Sequence, residues 1–270
     1  MNTLIDNNDQ FKDFDRQIPE ISVVLPCYNG ERYLLEAVQS IINQTFEDWE
    51  LIIVDDCSTD ATPDIIRELV KEDKRIKSIR NKENIKLPRA LNAGFEIARG
   101  RYLTWMSDDN LYEKTAFERM YQELEEYGDI AMVCADMLII DSEGKVLGSS
   151  VTYDDKKFWR DNRVGLCVLY RREVYETIGG FDPDLFLMED YDYWARIRSA
   201  FGYIQRIPEI LYRYRIHDNT LTNTRSREIL HQLNRFRAKH INEILSSLSD
   251  DKEALSQILM QMGIELSNDS

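Results

Sequence analysis

Over the first half of this chain, four short apolar runs alternate with stretches of helical spacing, and three of the four close on a polar cluster. Ile21-Ser-Val-Val-Leu25 ends in Pro26-Cys-Tyr-Asn-Gly30, and Leu51-Ile-Ile-Val54 ends in Asp55-Asp56-Cys-Ser-Thr-Asp60. Arg75 to Ile79 is the third run, and Tyr102 to Met106 leads into Ser107-Asp108-Asp109-Asn110. Short runs rich in β-branched residues read as strands. Between them Leu34, Leu35, Val38, Ile41 and Ile42 recur at the spacing of one helix face. Thr62-Pro63-Asp64 opens a second helix with proline at its first position, and Pro88 opens a third carrying Leu91, Phe95 and Ala98 up to Gly100. Strand, helix, strand with short connections demands a parallel sheet covered on both faces, an α/β fold. Such sheets bind ligands outside the carboxyl ends of their strands. Tyr28 with Asn29, Asp55 with Asp56, and Asp108 with Asp109 all fall on that rim. Each cluster alone could be a turn or a helix cap. Three on one rim read as a site.

The adjacent carboxylates of Asp108 and Asp109 sharpen that reading. Two like charges so close raise one another's pKa unless a cation lies between them. After residue 128 the pattern changes. Ile130 to Ile140 and Lys145 to Val151 are longer strands joined by Asp141-Ser-Glu-Gly144, so an antiparallel pair should join a mixed sheet. Residues 153–163 are charged and aperiodic and read as a loop or lid. From Arg225 the chain turns helical, with Ile229, Leu233, Phe236, Ile241, Ile244, Leu245 and Leu248 on the apolar positions. The expected organisation is a flexible lead-in over 1–20, a main domain over 21–220 and a helical extension over 221–270. The main domain divides at residue 110 into two halves, 21–110 and 111–220.

Composition removes several classes. A net charge of −15 argues against a nucleic-acid binder, whose phosphate contacts need a basic face. No apolar stretch approaches the roughly 20 residues of a membrane span, and the polar N-terminus carries no secretory signature. Cys27, Cys57, Cys134 and Cys167 are scattered without zinc or disulfide spacing, which suits mostly buried thiols in a reducing cytosol.

The sequence resembles an inverting glycosyltransferase of family 2, with the nucleotide-diphospho-sugar transferase GT-A fold. The resemblance rests on Val23-Val-Leu-Pro-Cys-Tyr-Asn29, Asp55-Asp56-Cys-Ser-Thr-Asp60, Ser107-Asp108-Asp109, the pair of blocks Gly179-Gly-Phe-Asp-Pro-Asp184 and Glu189-Asp190-Tyr-Asp-Tyr-Trp194, and Tyr214-Arg-Ile-His217, in that order over about residues 21–220. It implies transfer of one sugar from a nucleotide-diphospho-sugar, UDP first and dTDP next, to a saccharide or lipid-linked acceptor in surface polysaccharide synthesis. It also implies a divalent metal, Mn²⁺ or Mg²⁺, bound by Asp109, with His217 a further metal or diphosphate contact or else an ordinary packing residue. Asp108 would contact ribose or metal-bound water, and Asp56 the imide of uracil or thymine. Pro26, Tyr28 and Asn29 would line the nucleotide pocket. A base stacked on Tyr28 would gain roughly 1–3 kcal/mol. Asp55 would orient the loop, and Arg89 would reach a phosphate or stay solvated. Lys145 and Gly179-Gly180 would shape the sugar pocket. Asp190 would be the general base, with Glu189 and Asp192 as alternatives and helix capping as its structural role. Tyr193 or Trp194 should pack in the core. The Gln-x-x-Arg-Trp element of processive members is absent, so one sugar per binding event is expected.

Other readings fit less well. A nucleotidyltransferase would need a Gly-rich phosphate loop after the first strand, and a phosphatase would need an acid there. A non-catalytic sugar-nucleotide-binding protein would lack the acidic pair or the base. Arg225, Arg227, Arg235, Arg237 and Lys239 cluster in an acidic chain. They either meet anionic lipid, giving a peripheral contact at the cytoplasmic leaflet, or form a helix face packed on the domain or on a second subunit of a homodimer.

Overall fold

A computed structural model describes residues 18–153, 157–160, 162–218 and 220–264. Most of the expected lead-in, and residues 154–156 and 161 of the expected lid, lie outside the described residues.

The parallel half forms as the pattern predicts. Strands β1 (Ile21–Cys27), β2 (Trp49–Asp55), β3 (Ile76–Arg80) and β4 (Tyr102–Trp105) pair in parallel in the order β3-β2-β1-β4. Successive side chains of a strand point to opposite faces, and the core divides accordingly. Val24, Ile52 and Val54 pack with Leu91 and Phe95 of helix α3 (Leu87–Ile97) on one face. Val23, Leu25, Leu51 and Ile53 pack on the other with α1 (Leu34–Ile42) and α2 (Thr62–Glu72).

Beyond β4 the sheet becomes mixed. After the two-residue β5 (Leu111–Tyr112) and helix α4 (Ala116–Glu126), β6 (Met132–Ile140) and β7 (Val146–Ser150) form the expected antiparallel hairpin. Besides β5, two longer strands were not foreseen. β8 (Val168–Arg171) lies antiparallel between β4 and β6, and β9 (Gln205–Arg215) runs parallel to β6 on its other side. β5 closes the order on β9. Pro208 and Glu209 fall where the β9 register slips, with Ile207 opposite Ala135 and Ile210 opposite Asp136. A bulge is where a sheet tolerates proline.

Helices α5 (Arg172–Ile178) and α6 (Glu189–Phe201) follow β8 and cover the α3 face. Tyr193 and Trp194 of α6 have no exposed surface, as expected of such aromatics. Phe181 stacks on Tyr193 at 4.3 Å and meets Trp105 of β4 edge-on at 6.4 Å. This aromatic chain ties the first turns of α6 to the acidic end of β4. After the short α7 (Leu221–Thr224), α8 (Ser226–Lys239), α9 (Ile241–Ser247) and α10 (Lys252–Gln261) complete the described chain. Phe236 of α8 is fully buried, stacked on Tyr191 of α6 at 4.1 Å.

The described part of 153–163 is a loop, one of the two readings expected of it, and it is anchored by Phe158 and Trp159, which are 1% and 2% exposed against α6 and α8. Of the two expected readings of the basic cluster, four of its five residues fit the helix face packed on the domain. Arg225 pairs with Glu228, Arg235 donates to the Asp184 carbonyl, Arg237 is buried against Gln261, and Lys239 bridges Asp182 and Asp192. Arg227 alone of the five keeps an exposed place without a described partner. No described helix is long and apolar enough to cross a membrane.

Candidate active site

The loops after β1 and β2 are knitted together by their own polar groups. Asn29 sits in the left-handed region at φ 56°, which asparagine tolerates. Its N–H donates to Ser58 Oγ at 2.9 Å, and its Oδ1 accepts from the Thr59 N–H at 2.8 Å. Asp55 accepts from the Ser58 N–H at 2.8 Å and lies 3.2 Å from Arg80, so it orients the turn. Asp60 accepts from the Thr62 N–H at the start of α2. The capping role expected of this block thus falls to Asp60.

Asp56 is almost fully buried and accepts three hydrogen bonds: Asn81 Nδ2 at 2.9 Å, the Ile85 N–H at 2.9 Å and the Lys86 N–H at 3.0 Å. A carboxylate offers about four acceptor positions, so one remains for a ligand N–H. The loop wrapped around it carries Lys86 at φ 72°, a strained place for a lysine. Pro26 is buried within β1 beside Val54, while Tyr28 is 51% exposed at its end. Arg89 projects from the first turn of α3 without a described partner.

The acidic turn after β4 does not cap α4, whose first residue is Ala116. Asn110 instead accepts from the Arg215 N–H at 2.8 Å. Arg215, 2% exposed, donates Nε to the Asp109 carbonyl at 2.8 Å and Nη2 to Glu36 at 2.7 Å, with its guanidinium over the Tyr33 ring. Two residues on, His217 Nε2 lies 3.0 Å from Asp109 Oδ2. Asp108 Oδ2 accepts from the Cys27 thiol at 2.9 Å. Burial, and then the Asp109 charge, push Asp108 up to about 7. Burial and Asp108 hold the Cys27 thiol far above its usual range, so it remains a donor. Gly30 is obligatory here, since a Cβ on it would stand 2.1 Å from Asp108 Oδ2.

A divalent cation fits this donor set in part. Asp109 and His217 offer one oxygen and one nitrogen that already touch, with the Asp108 carboxyl next to them. Among the described residues no three such side chains form a complete cage. The balance of ligands would come from diphosphate and water, the usual arrangement for Mg²⁺ at phosphates.

On α6 the three acids part ways. Asp190 Oδ1 accepts from the Tyr191 N–H at 2.7 Å and Oδ2 from Asn162 Nδ2 at 2.8 Å. Glu189 is buried and accepts from the Leu187 N–H. Burial and the Asp190 charge raise Glu189, and burial raises Asp190 against those two hydrogen bonds. Asp192 is corrected as a base candidate. It has no exposed surface and is held by His240 Nε2 at 2.9 Å, Lys239 Nζ at 2.7 Å and Arg196 Nε at 2.9 Å. Burial alone would raise its carboxyl, but the His240 and Lys239 hydrogen bonds and the Arg196 charge outweigh burial and hold it at about 2. Arg196 also donates to the Ile178 and Gly180 carbonyls. Gly180 packs so closely on Asn92 that a Cβ would lie 2.4 Å from its Oδ1. Lys145 is exposed on the β6–β7 turn.

Cys27, Asn81, Asn162 and Arg215 were not foreseen as functional. Cys27 and Arg215 sit inside the quoted motifs, whereas Asn81 and Asn162 carry no sequence signal.

A mixed, mainly parallel sheet with an acidic rim and a packed acceptor-side helix defines a GT-A fold. Solved structures share it. Staphylococcus aureus TarS 1-349 in complex with UDP-GlcNAc superposes with TM-score 0.68 at 18% identity, covering 90% of this chain and 72% of that one. Mannosyltransferase PcManGT from Pyrobaculum calidifontis, in complex with GDP-Man and Mn²⁺, gives 0.65 at 19% identity, covering 94% and 73%. The sequence model for glycosyl transferase family 2 matches residues 22–179. A putative teichuronic acid biosynthesis glycosyltransferase, TuaG of Bacillus subtilis, is 29% identical over 214 residues, 77% of this chain and 83% of that protein. The chain belongs to glycosyltransferase family 2 and is a glycosyltransferase.

Proposed function

We propose that the protein moves one sugar per encounter from a nucleotide-diphospho-sugar, UDP first and dTDP next, to a hydroxyl of a saccharide or lipid-linked acceptor, with inversion. The setting we favour is surface polysaccharide synthesis on the cytoplasmic side, in keeping with the teichuronic acid role in the name of the Bacillus relative. One observation carries the reading. The ends of β1, β2 and β4 lie side by side and bring Tyr28, Asp56 and the Asp109–His217 pair to one rim.

Tyr28 offers its exposed ring to the base, and the last acceptor position of Asp56 takes the imide hydrogen. Asn29 fixes the loop between them. Asp108 meets ribose or bound water, and Arg89 meets phosphate. A divalent ion held by Asp109 and His217 would neutralise charge growing on the leaving diphosphate. Mn²⁺ suits a set containing an imidazole better than Mg²⁺, and the PcManGT complex holds Mn²⁺. Asp190 takes the proton of the acceptor hydroxyl as it attacks opposite the diphosphate.

Thermal melts with UDP-, dTDP-, GDP- and CMP-sugars, each with and without Mn²⁺, test the donor. A ligand that binds only the folded state raises the melting temperature; at 100 times its Kd the gain is about 2.7 kcal/mol. A Mn²⁺-dependent rise with a UDP- or dTDP-sugar is expected. Asp109→Ala should lose it, while Asp190→Asn should keep it and lose transfer. A rise with GDP-sugars alone would refute the base assignment, and none at millimolar ligand would refute the donor reading.

A further inference from the structure

The acceptor-side carboxyl is met by a group that no motif contains. Asp190 lies in the first turn of α6, and each of its oxygens accepts one hydrogen bond. The Tyr191 N–H on Oδ1 comes with the helix, and any aspartate here would receive it. The Asn162 amide on Oδ2 comes from a separate segment 28 residues earlier.

That segment is pinned where it can hold its asparagine still. Phe158 and Trp159 are buried against Tyr191 and Phe236, and the Phe158 carbonyl accepts from the Tyr191 hydroxyl. Arg160 pairs with Asp251, whose carboxylate also caps α10 through the Ala254 N–H. Asn162 itself is exposed, and its amide donates to Asp190 Oδ2 at 2.8 Å.

We infer that Asn162 is a positioning residue for the acceptor-side base: its amide holds Asp190 ionised and in a fixed orientation, leaving the other lone pairs of that carboxylate to an acceptor hydroxyl. The inference rests on the reading of Asp190 as base. A hydrogen bond donated to the charged form favours that form, and here it works against burial and against the neighbouring Glu189. Charged and titratable groups of the described elements packed on this turn include Glu189, Tyr191, Asp192, Arg196 and Arg198 of α6, Lys157, Arg160 and Arg163 of the segment, Arg237, Lys239 and His240 of α8, and Asp251 before α10, with Arg198 lying over the Phe158 and Trp159 rings. Asp192 is already satisfied by Lys239, His240 and Arg196, and Arg160 by Asp251. Asn162 is the side chain that donates to Asp190.

The titration that tests Asn162 needs no sugar donor; only the Asp190→Asn transfer assay does. In the full-length protein labelled with ¹³C and ¹⁵N, the Asp190 carboxyl carbon is followed against pH, together with the Asn162 side-chain amide. The amide should titrate in step with Asp190 and lose that step in Asp190→Asn. In Asn162→Ala the Asp190 midpoint should rise by about one pH unit, and in the isosteric Asn162→Asp it should rise further, because a second carboxylate replaces the donor. Both changes lie on the surface, and an unchanged melting temperature shows that the fold is intact. A merely structural asparagine would leave the midpoint where it is. Asp190 midpoints unmoved in both variants, with Asp190→Asn inactive in transfer, overturn the role of Asn162 alone. Asp190→Asn with near-normal turnover overturns the base reading and this inference with it.

Discussion

Asp192 turns one buried carboxylate into a pH-dependent brace. Its carboxyl sits at about 2 in the folded protein because His240, Lys239 and Arg196 donate to it, against about 3.9 for an unfolded aspartate. A folded pKa below the unfolded one stabilises the protein above the unfolded value, and the gain disappears as pH falls through the folded value. The difference corresponds to roughly 2–3 kcal/mol, complete above about pH 4.5 and about half gone by pH 3. Asp192→Asn should cost about 2–3 kcal/mol at neutral pH, the gain it gives up, since Lys239 keeps Asp182 and Arg196 keeps the Ile178 and Gly180 carbonyls, and its deficit against wild type should narrow below pH 4. Denaturant unfolding at pH 7 and pH 3 measures both; an equal deficit at the two would refute the brace. The sequence could not reveal this. In Glu189-Asp190-Tyr-Asp192 the acids look alike, and only the 3.6-residue helix turn sends Asp190 and Asp192 to different faces. Two of the three partners of Asp192, Lys239 and His240, lie nearly fifty residues away. The motif Tyr214-Arg-Ile-His217 singled His217 out in the sequence, and the fold brings it across 108 residues to Asp109.

Elements were legible where a strong period decided them. β1 to β4 and α1 to α3 have clean apolar spacing and proline or glycine at their ends, and each lies within a few residues of its expected place. β8 is only four residues long and runs straight into α5, so it offers no period of its own. β9 hides behind Pro208 and alternating charges, and only its pairing with β6 makes it a strand. The helical extension was visible as helix and its packing on the domain as one of two readings, but the partners were not, because the acids and carbonyls its basic residues meet lie far away in sequence. Phe236 is the anchor of that packing. Phe236→Ala should cost about 3–5 kcal/mol through the cavity left between Tyr191 and Trp159, a fall of roughly 10 °C in melting temperature. A fall below 2 °C would mean that α8 does not lean on α6 in solution.

For the molecule as a whole, packing crosses the expected boundaries at residues 110 and 220. β4, from before residue 110, pairs with β1 on one edge and with β8, from after it, on the other. A single core cluster contains Val24 of β1, Trp105 of β4, Tyr193 of α6, Phe236 of α8 and Ile258 of α10. Residues from all three expected segments therefore lose or keep their packing together. Cooperativity follows from that shared core: opening the extension uncovers Tyr191 and Trp159, which loosens α6, which in turn uncovers Phe181 and the end of β4. The full chain should unfold in one transition with equal calorimetric and van't Hoff enthalpies, the criterion of two-state behaviour. A chain ending at residue 220 should lack a sharp transition and expose apolar surface to a hydrophobic dye. Two resolved transitions in the full chain, or a sharp one in the shortened chain, would mean that the donor rim folds without the helices that brace the acceptor side. The single-transition outcome would instead make the C-terminal helices part of the catalytic scaffold, since the turn carrying Asp190 could not persist without them.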